Sequence, residues 1–144
     1  MKASLPVFGE CDKLELDALQ IMQNKAARLV INAGRRTSRT ELFAQTGWLT
    51  VRQLIFYQTA LSTYRIRLTQ EPEYLSQIMN RNNRVDKIII PNSRLTLALN
   101  SYCFRGASQW NKIPEQIRNS SSLRSFKSEL KSWIKEHVQQ FGED

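Results

Sequence analysis

The sequence predicts a mainly α-helical bundle with a small two-stranded β element in its second half. Three observations carry that expectation. Pairs able to cap a helix start recur along the chain, at Asp12 with Glu15, Ser38 with Glu41 and Thr50 with Gln53. Apolar residues between these starts recur at three- and four-residue spacing. Only around residues 88–99 does the pattern change, to β-branched and then alternating residues.

Residues 1–11, MKASLPVFGEC, are apolar without helical periodicity, and Leu5, Pro6, Val7 and Phe8 have no partner in what precedes them, as expected of a truncated start. Asp12 then opens a helix, with Glu15 placed where the helix dipole favours negative charge. Leu19, Met22, Ala26, Leu29 and Val30 are its expected buried stripe, and Gly34 its expected end, after about 22 residues or roughly 33 Å. Ser38 and Glu41 open a short helix that Gly47 stops.

The central helix, residues 47–67, is specified most fully. Thr50 caps it, Gln53 can reach back to the Thr50 amide, and Leu49 and Leu54 are placed as a hydrophobic staple. Leu54, Leu61, Tyr64 and Leu68 form its apolar line, widened by Ile55 and Phe56. Pro72 starts another short helix over residues 72–79, with Tyr74, Leu75 and Ile78 on one side. Residues 80–86, NRNNRVD, are polar and turn-rich. They divide the chain into a helical half, residues 1–79, and a second part, residues 80–144, expected to pack with it as one unit.

In that second part Ile88, Ile89 and Ile90 are β-branched, and Leu95, Leu97 and Leu99 alternate with Thr96, Ala98 and Asn100, which predicts an antiparallel pair. Mixed apolar residues over 102–110 lead to a helix end at Trp110-Asn111-Lys112-Ile113-Pro114, and Pro114 starts a short segment to Arg118. The serines at 120–122 offer a cap for a last helix, residues 123–139, lined by Phe126, Leu130, Trp133, Ile134 and Val138.

With 144 residues the chain can bury most of its apolar surface in one core. It has two cysteines, Cys11 and Cys103, no secretory signal and no apolar run long enough to span a bilayer. Those features suit a reducing compartment inside the cell, nuclear or cytoplasmic, with no membrane partner. One histidine and two distant cysteines do not make a zinc site. Gly9, Gly34, Gly47, Gly106 and Gly142 are isolated, so no phosphate-cradling loop is expected. Asp12, Asp17, Asp86 and Asp144 are scattered, which leaves two-metal chemistry without clustered carboxylates. His137 sits at the end of the last helix, where a role against the dipole is expected in preference to that of a base. Neither a cofactor nor a small-molecule substrate is implied.

The charge is the informative feature. A formal net charge of +8 and a pI near 9.9 suit a polyanionic partner. The distribution says more than the total. Lys25, Arg28, Arg35, Arg36, Arg39, Arg52, Arg65 and Arg67 face only Glu41 over residues 25–67. Arg81, Arg84, Lys87, Arg94, Arg105 and Lys112 face only Asp86 over residues 81–112. Arginine dominates the first group, and its planar fork suits phosphate oxygens. A merely solubilising surface would show the same charge. Trp48, Phe56, Tyr57, Tyr64, Trp110 and Trp133 could stack on bases, but their place on apolar stripes favours core packing.

Taken in order, LQIMQNKAARLV (residues 19–30), LFAQTGWLTVRQLIFYQTAL (42–61), EPEYL (71–75), FRGASQWNKIPEQIR (104–118) and SLRSFKSELKSWIK (122–135) span nearly the whole chain. Together they resemble the region downstream of the catalytic palm in reverse transcriptases of non-LTR retrotransposons, of the jockey and chicken-repeat type. The opening LPVFGEC is similar to the stretch that precedes the Q-N-K-A-A-R helix in those polyproteins. The resemblance implies a thumb-like helical bundle that packs against template and primer beside an RNA-directed DNA polymerase site. It also implies that the chain itself is non-catalytic, since the family's Tyr/Phe-Ala-Asp-Asp motif lies in the palm and is not present here. The expected partners are the nucleic-acid backbone and the rest of a reverse transcriptase. The alternative is a protein-interaction or scaffold module that docks onto the polymerase or self-associates through exposed apolar residues of the start and the final helix.

Overall fold

The computed structural model describes residues 13–80, 87–90 and 101–137. Helices hold 74% of these residues, which makes the fold mainly α. They are α1 (Lys13–Val30), α2 (Arg39–Thr46), α3 (Val51–Thr69), α4 (Glu73–Met79), α5 (Tyr102–Lys112), α6 (Glu115–Arg118) and α7 (Leu123–Glu136).

Helix α3 is the centre, and α1, α4, α5 and α7 all pack against it. Its start carries the predicted capping box: the Gln53 amide donates to Thr50 Oγ1 at 3.3 Å, and Gln53 Oε1 accepts from the Thr50 amide at 3.0 Å. Two amides that a helix start leaves open are satisfied within four residues. Ile55, Phe56, Thr59, Ala60, Thr63 and Ile66 are buried along α3, whereas Leu68, expected on the apolar face, lies 65% exposed near its end.

The core joins both parts of the chain. Tyr64 of α3 stacks on Phe126 of α7 with ring centres 4.3 Å apart, and Trp110 of α5 lies 5.9 Å from Phe126. Leu130, Trp133 and Ile134 complete the buried line of α7, as the sequence predicts, and Ser122 caps that helix by accepting from the Ser125 amide. Val138 lies outside the described residues. Helices α3 and α5 approach closely at Gly106, where an added Cβ would stand 3.0 Å from Met79 Cε and 3.2 Å from Thr63 Oγ1.

The expected β pair is not seen, and three other expectations are corrected. Among the described residues there is no strand: Ile88 makes an isolated β-bridge between irregular neighbours, while the second arm, residues 95–99, lies outside them. The amide and carbonyl of Ile88 itself are both met by a side chain. Its amide donates to Asn111 Oδ1 and its carbonyl accepts from Asn111 Nδ2, both at 2.9 Å.

The stripe expected to bury α1 faces outward. Leu19 is 40% exposed, Met22 65%, Leu29 83% and Val30 65%, and only Ala27 is buried. The inward face is polar because α3 needs it to be. Gln20 Oε1 accepts from the Val51 amide at 2.9 Å, and Gln23 Nε2 donates to the Leu49 carbonyl at 2.8 Å. Glutamine amides thus satisfy backbone groups at the α3 start that leucine would leave unpaired.

Helix α1 also ends before Gly34. Asn32 takes a left-handed φ of 51°, the Ala33 amide bonds to the Arg28 carbonyl at 2.9 Å, and the Asn32 amide to the Leu29 carbonyl at 3.4 Å. That is a Schellman ending, and asparagine is the side chain after glycine best suited to it. In α4, Pro72 precedes the helix and is not its first residue. Tyr74 is 66% exposed, while Ser76 and Met79 are buried and Leu75 packs partly buried against the core.

Candidate nucleic-acid interface

Helix α1 delivers its cations to one end of the bundle. Lys25 and Arg28 project from its last turns, the Schellman ending turns the chain, and Arg35 follows in the connection to α2. These three side chains line one open groove of about 620 Å³ with Leu29, Asn32 and Ala33. Arg28 is held in place by donating from Nη2 to the Thr37 carbonyl at 3.4 Å, while its buried Nε has no hydrogen-bond partner. Lys25, Arg35 and Arg36 are exposed, and no acid stands between Lys25 and Glu41.

The eight cations singled out in the sequence do not share one surface. Arg39 opens α2 and lines a second groove of about 300 Å³, together with Lys135 of α7. Arg52, in the first turn of α3, donates to Asp17 Oδ1 of α1 at 3.4 Å, an exposed pair of little energetic consequence. Arg65 stands 13 residues farther along α3, roughly 20 Å away. Arg67 serves the fold: Nη1 donates to the Met79 carbonyl at 3.0 Å, and the guanidinium lies 5.1 Å from the Trp110 ring centre. The structure therefore brings Lys25, Arg28 and Arg35 together and separates Arg65 and Arg67 from them.

Two cations were hidden in the sequence. Helix α7 looks neutral when its charges are counted, but Lys127, Lys131 and Lys135 follow at four-residue spacing and share one face. Glu129 and Glu136 lie roughly opposite. Glu129 is further occupied by the Ser120 hydroxyl at 2.8 Å. Lys135 Nζ reaches within 3.7 Å of where a Gly47 Cβ would stand, and Lys131 lines a third groove, of about 310 Å³, beside Gly47 and Trp48. The four-residue period was the available signal.

Groups able to make or break bonds are few among the described residues, and no three His, Cys, Asp or Glu gather to hold a metal there. Cys103 is a free, half-buried thiol, and burial raises its pKa, so little thiolate forms at neutral pH. His137 caps α7, its Nδ1 3.0 Å from the Trp133 carbonyl and its ring 5.1 Å from the Trp133 ring. Cys11 lies outside the described residues. Among the described residues no helix is long and apolar enough to cross a membrane.

No protein-family model, curated protein or solved structure matches the chain.

Proposed function

We propose that this chain is a non-catalytic, thumb-like part of an RNA-directed DNA polymerase of the non-LTR retrotransposon kind, and that it grips the template–primer backbone without reading sequence. The observation that carries the reading is the convergence of Lys25, Arg28 and Arg35 on one groove at the α1 end, with Arg36 exposed beside them. Cations on long side chains, with no acid among them, suit phosphate oxygens and carry no base discrimination. The ordered sequence resemblance supports the polymerase context, and the two cysteines without a secretory signal favour a reducing compartment inside the cell, nucleus or cytoplasm. The test is the affinity of the purified chain for an RNA–DNA hybrid between 50 and 200 mM salt. Gripping by phosphate contacts gives a steep linear fall of log affinity with log salt. A flat response overturns the reading.

A second reading, association with another copy of the chain, is favoured by one observation. Leu14, Ile21, Met22 and Leu29 of α1 are all more than half exposed and fall on one side of the helix. The helix is acidic at Glu15 and Asp17 and basic at Lys25 and Arg28. Two copies of α1 laid antiparallel match apolar to apolar and opposite charges at both ends. Light scattering decides it: a dimer that Ile21→Glu dissolves supports this reading, and a monomer at every concentration removes it.

A further inference from the structure

Trp48 is the tryptophan that the core leaves out. It is 39% exposed, whereas Trp110 is 1% and Trp133 9% exposed, and it follows Gly47 in the short connection between α2 and α3. Its backbone is fixed by Gly47, which closes α2 at φ 66°, and by the hydrogen bond that the Trp48 amide donates to Thr46 Oγ1 at 3.4 Å. The ring lines both grooves of this region. One, of about 300 Å³, has Arg39 and Phe43 on its α2 side and Lys135 on its α7 side. The other, of about 310 Å³, has Lys131.

From this arrangement we infer that the Trp48 grooves form a binding site for an unpaired nucleotide, distinct from the duplex-gripping groove of Lys25, Arg28 and Arg35. An exposed indole held between cations from two helices offers a stacking surface for a base and charge for its phosphate. A pocket near 300 Å³ is at the small end for a ligand of nucleotide size. Of the polar groups that line it, Thr50 Oγ1 and Gln53 Oε1 already accept backbone amides in the α3 cap. Stacking on an indole is indifferent to base identity, so the site takes any base that stacks. The ligand class is a single-stranded end or overhang of nucleic acid, as a template strand presents beyond its primer. The inference extends the backbone-gripping reading and rests on it for the presence of nucleic acid.

The experiment uses the full chain with two probes, a ten-nucleotide oligothymidylate and a blunt RNA–DNA hybrid of the same length. With Trp110 and Trp133 buried, quenching of tryptophan fluorescence by the single strand reports chiefly on Trp48. The expectation is that Trp48→Ala weakens oligothymidylate binding about fivefold or more, the scale of one lost base stack, and leaves hybrid binding within about twofold. Trp48→Phe, which keeps a stacking ring, restores most of the single-strand affinity, and Lys135→Gln lowers it without unfolding the chain. If single-strand binding is indifferent to Trp48, or hybrid binding falls equally, the site is not there, although the backbone grip stands. If single-strand binding depends on Trp48 and the hybrid does not bind, the site stands and the grip falls. If neither probe binds, both fall.

Discussion

The side chain of Asn111 holds both backbone polar groups of Ile88. One carboxamide meets both the amide and the carbonyl of that residue at 2.9 Å, and Ile88 is buried beneath it. An extended residue whose two backbone groups are buried needs both a donor and an acceptor, and asparagine supplies the two in one plane. Asn111→Asp keeps the acceptor and removes the donor, setting carboxylate oxygen against the Ile88 carbonyl. The expected cost is about 1–3 kcal/mol for either Asn111→Ala or Asn111→Asp, read by denaturant unfolding, with faster hydrogen exchange at the Ile88 amide.

The α3 start is held from within by Thr50 and from outside by Gln20. Thr50→Ala should destabilise the chain by about 1 kcal/mol. Gln20→Ala, which returns the Val51 amide to water, should cost about 0.5–1.5 kcal/mol. Because Gln20 belongs to another helix, only its loss should also loosen α1, seen as amide exchange spreading through α1 before the rest of the bundle opens.

Tyr64 bridges the bundle twice, stacking on Phe126 and donating from its hydroxyl to the Ser120 carbonyl at 2.9 Å. Tyr64→Phe removes the second link alone, at an expected cost of about 1 kcal/mol. Phe126→Ala empties a fully buried site and should cost about 3–5 kcal/mol. Thermal unfolding of the two variants separates the hydrogen bond from the packing.

Stability should fall in alkaline solution. Burial raises the Tyr102 phenol above its usual 10.0, more than the Thr63 and Ser62 hydrogen bonds lower it, and burial likewise raises the Cys103 thiol above 9.0. In each case the unfolded chain gives up its proton at a lower pH than the folded one. The folded state is therefore fully favoured below the unfolded values and loses ground from about pH 9 upward, as the unfolded groups ionise. Tyr102→Phe should flatten the part of this decline that begins near pH 10. An unchanged pH profile in that variant would remove Tyr102 as its source.

Caps were legible in the sequence because they depend on residues three apart. Thr50 with Gln53 and the Ser122 cap stand where local spacing puts them. The facing of α1 was not legible. Apolar periodicity identifies a stripe but not which side the partner needs, and here the partner is a helix start that wants the amides of Gln20 and Gln23. The end of α1 was misplaced by two residues because Asn32 adopts the left-handed turn that Gly34 was expected to supply. Among the site residues, the run from Lys25 to Arg39 was visible as charge. Its separation from Arg65 follows from the length of α3, and the contribution of Lys131 and Lys135 follows from how α7 is rotated, a tertiary fact that a charge count averages away.

In the proposed grip, one end of the bundle, and not its total charge, holds the nucleic-acid backbone. The direct measurement compares the salt dependence of hybrid binding for the unaltered chain, for Lys25→Gln/Arg35→Gln/Arg36→Gln, and for Arg65→Gln. Each phosphate contact contributes about 0.9 to the slope of log affinity against log salt. The triple variant should therefore lose about 2–3 from that slope, while Arg65→Gln leaves it unchanged. Equal slopes in the triple variant and the unaltered chain, or a comparable loss from Arg65→Gln alone, would overturn the grip at the α1 end.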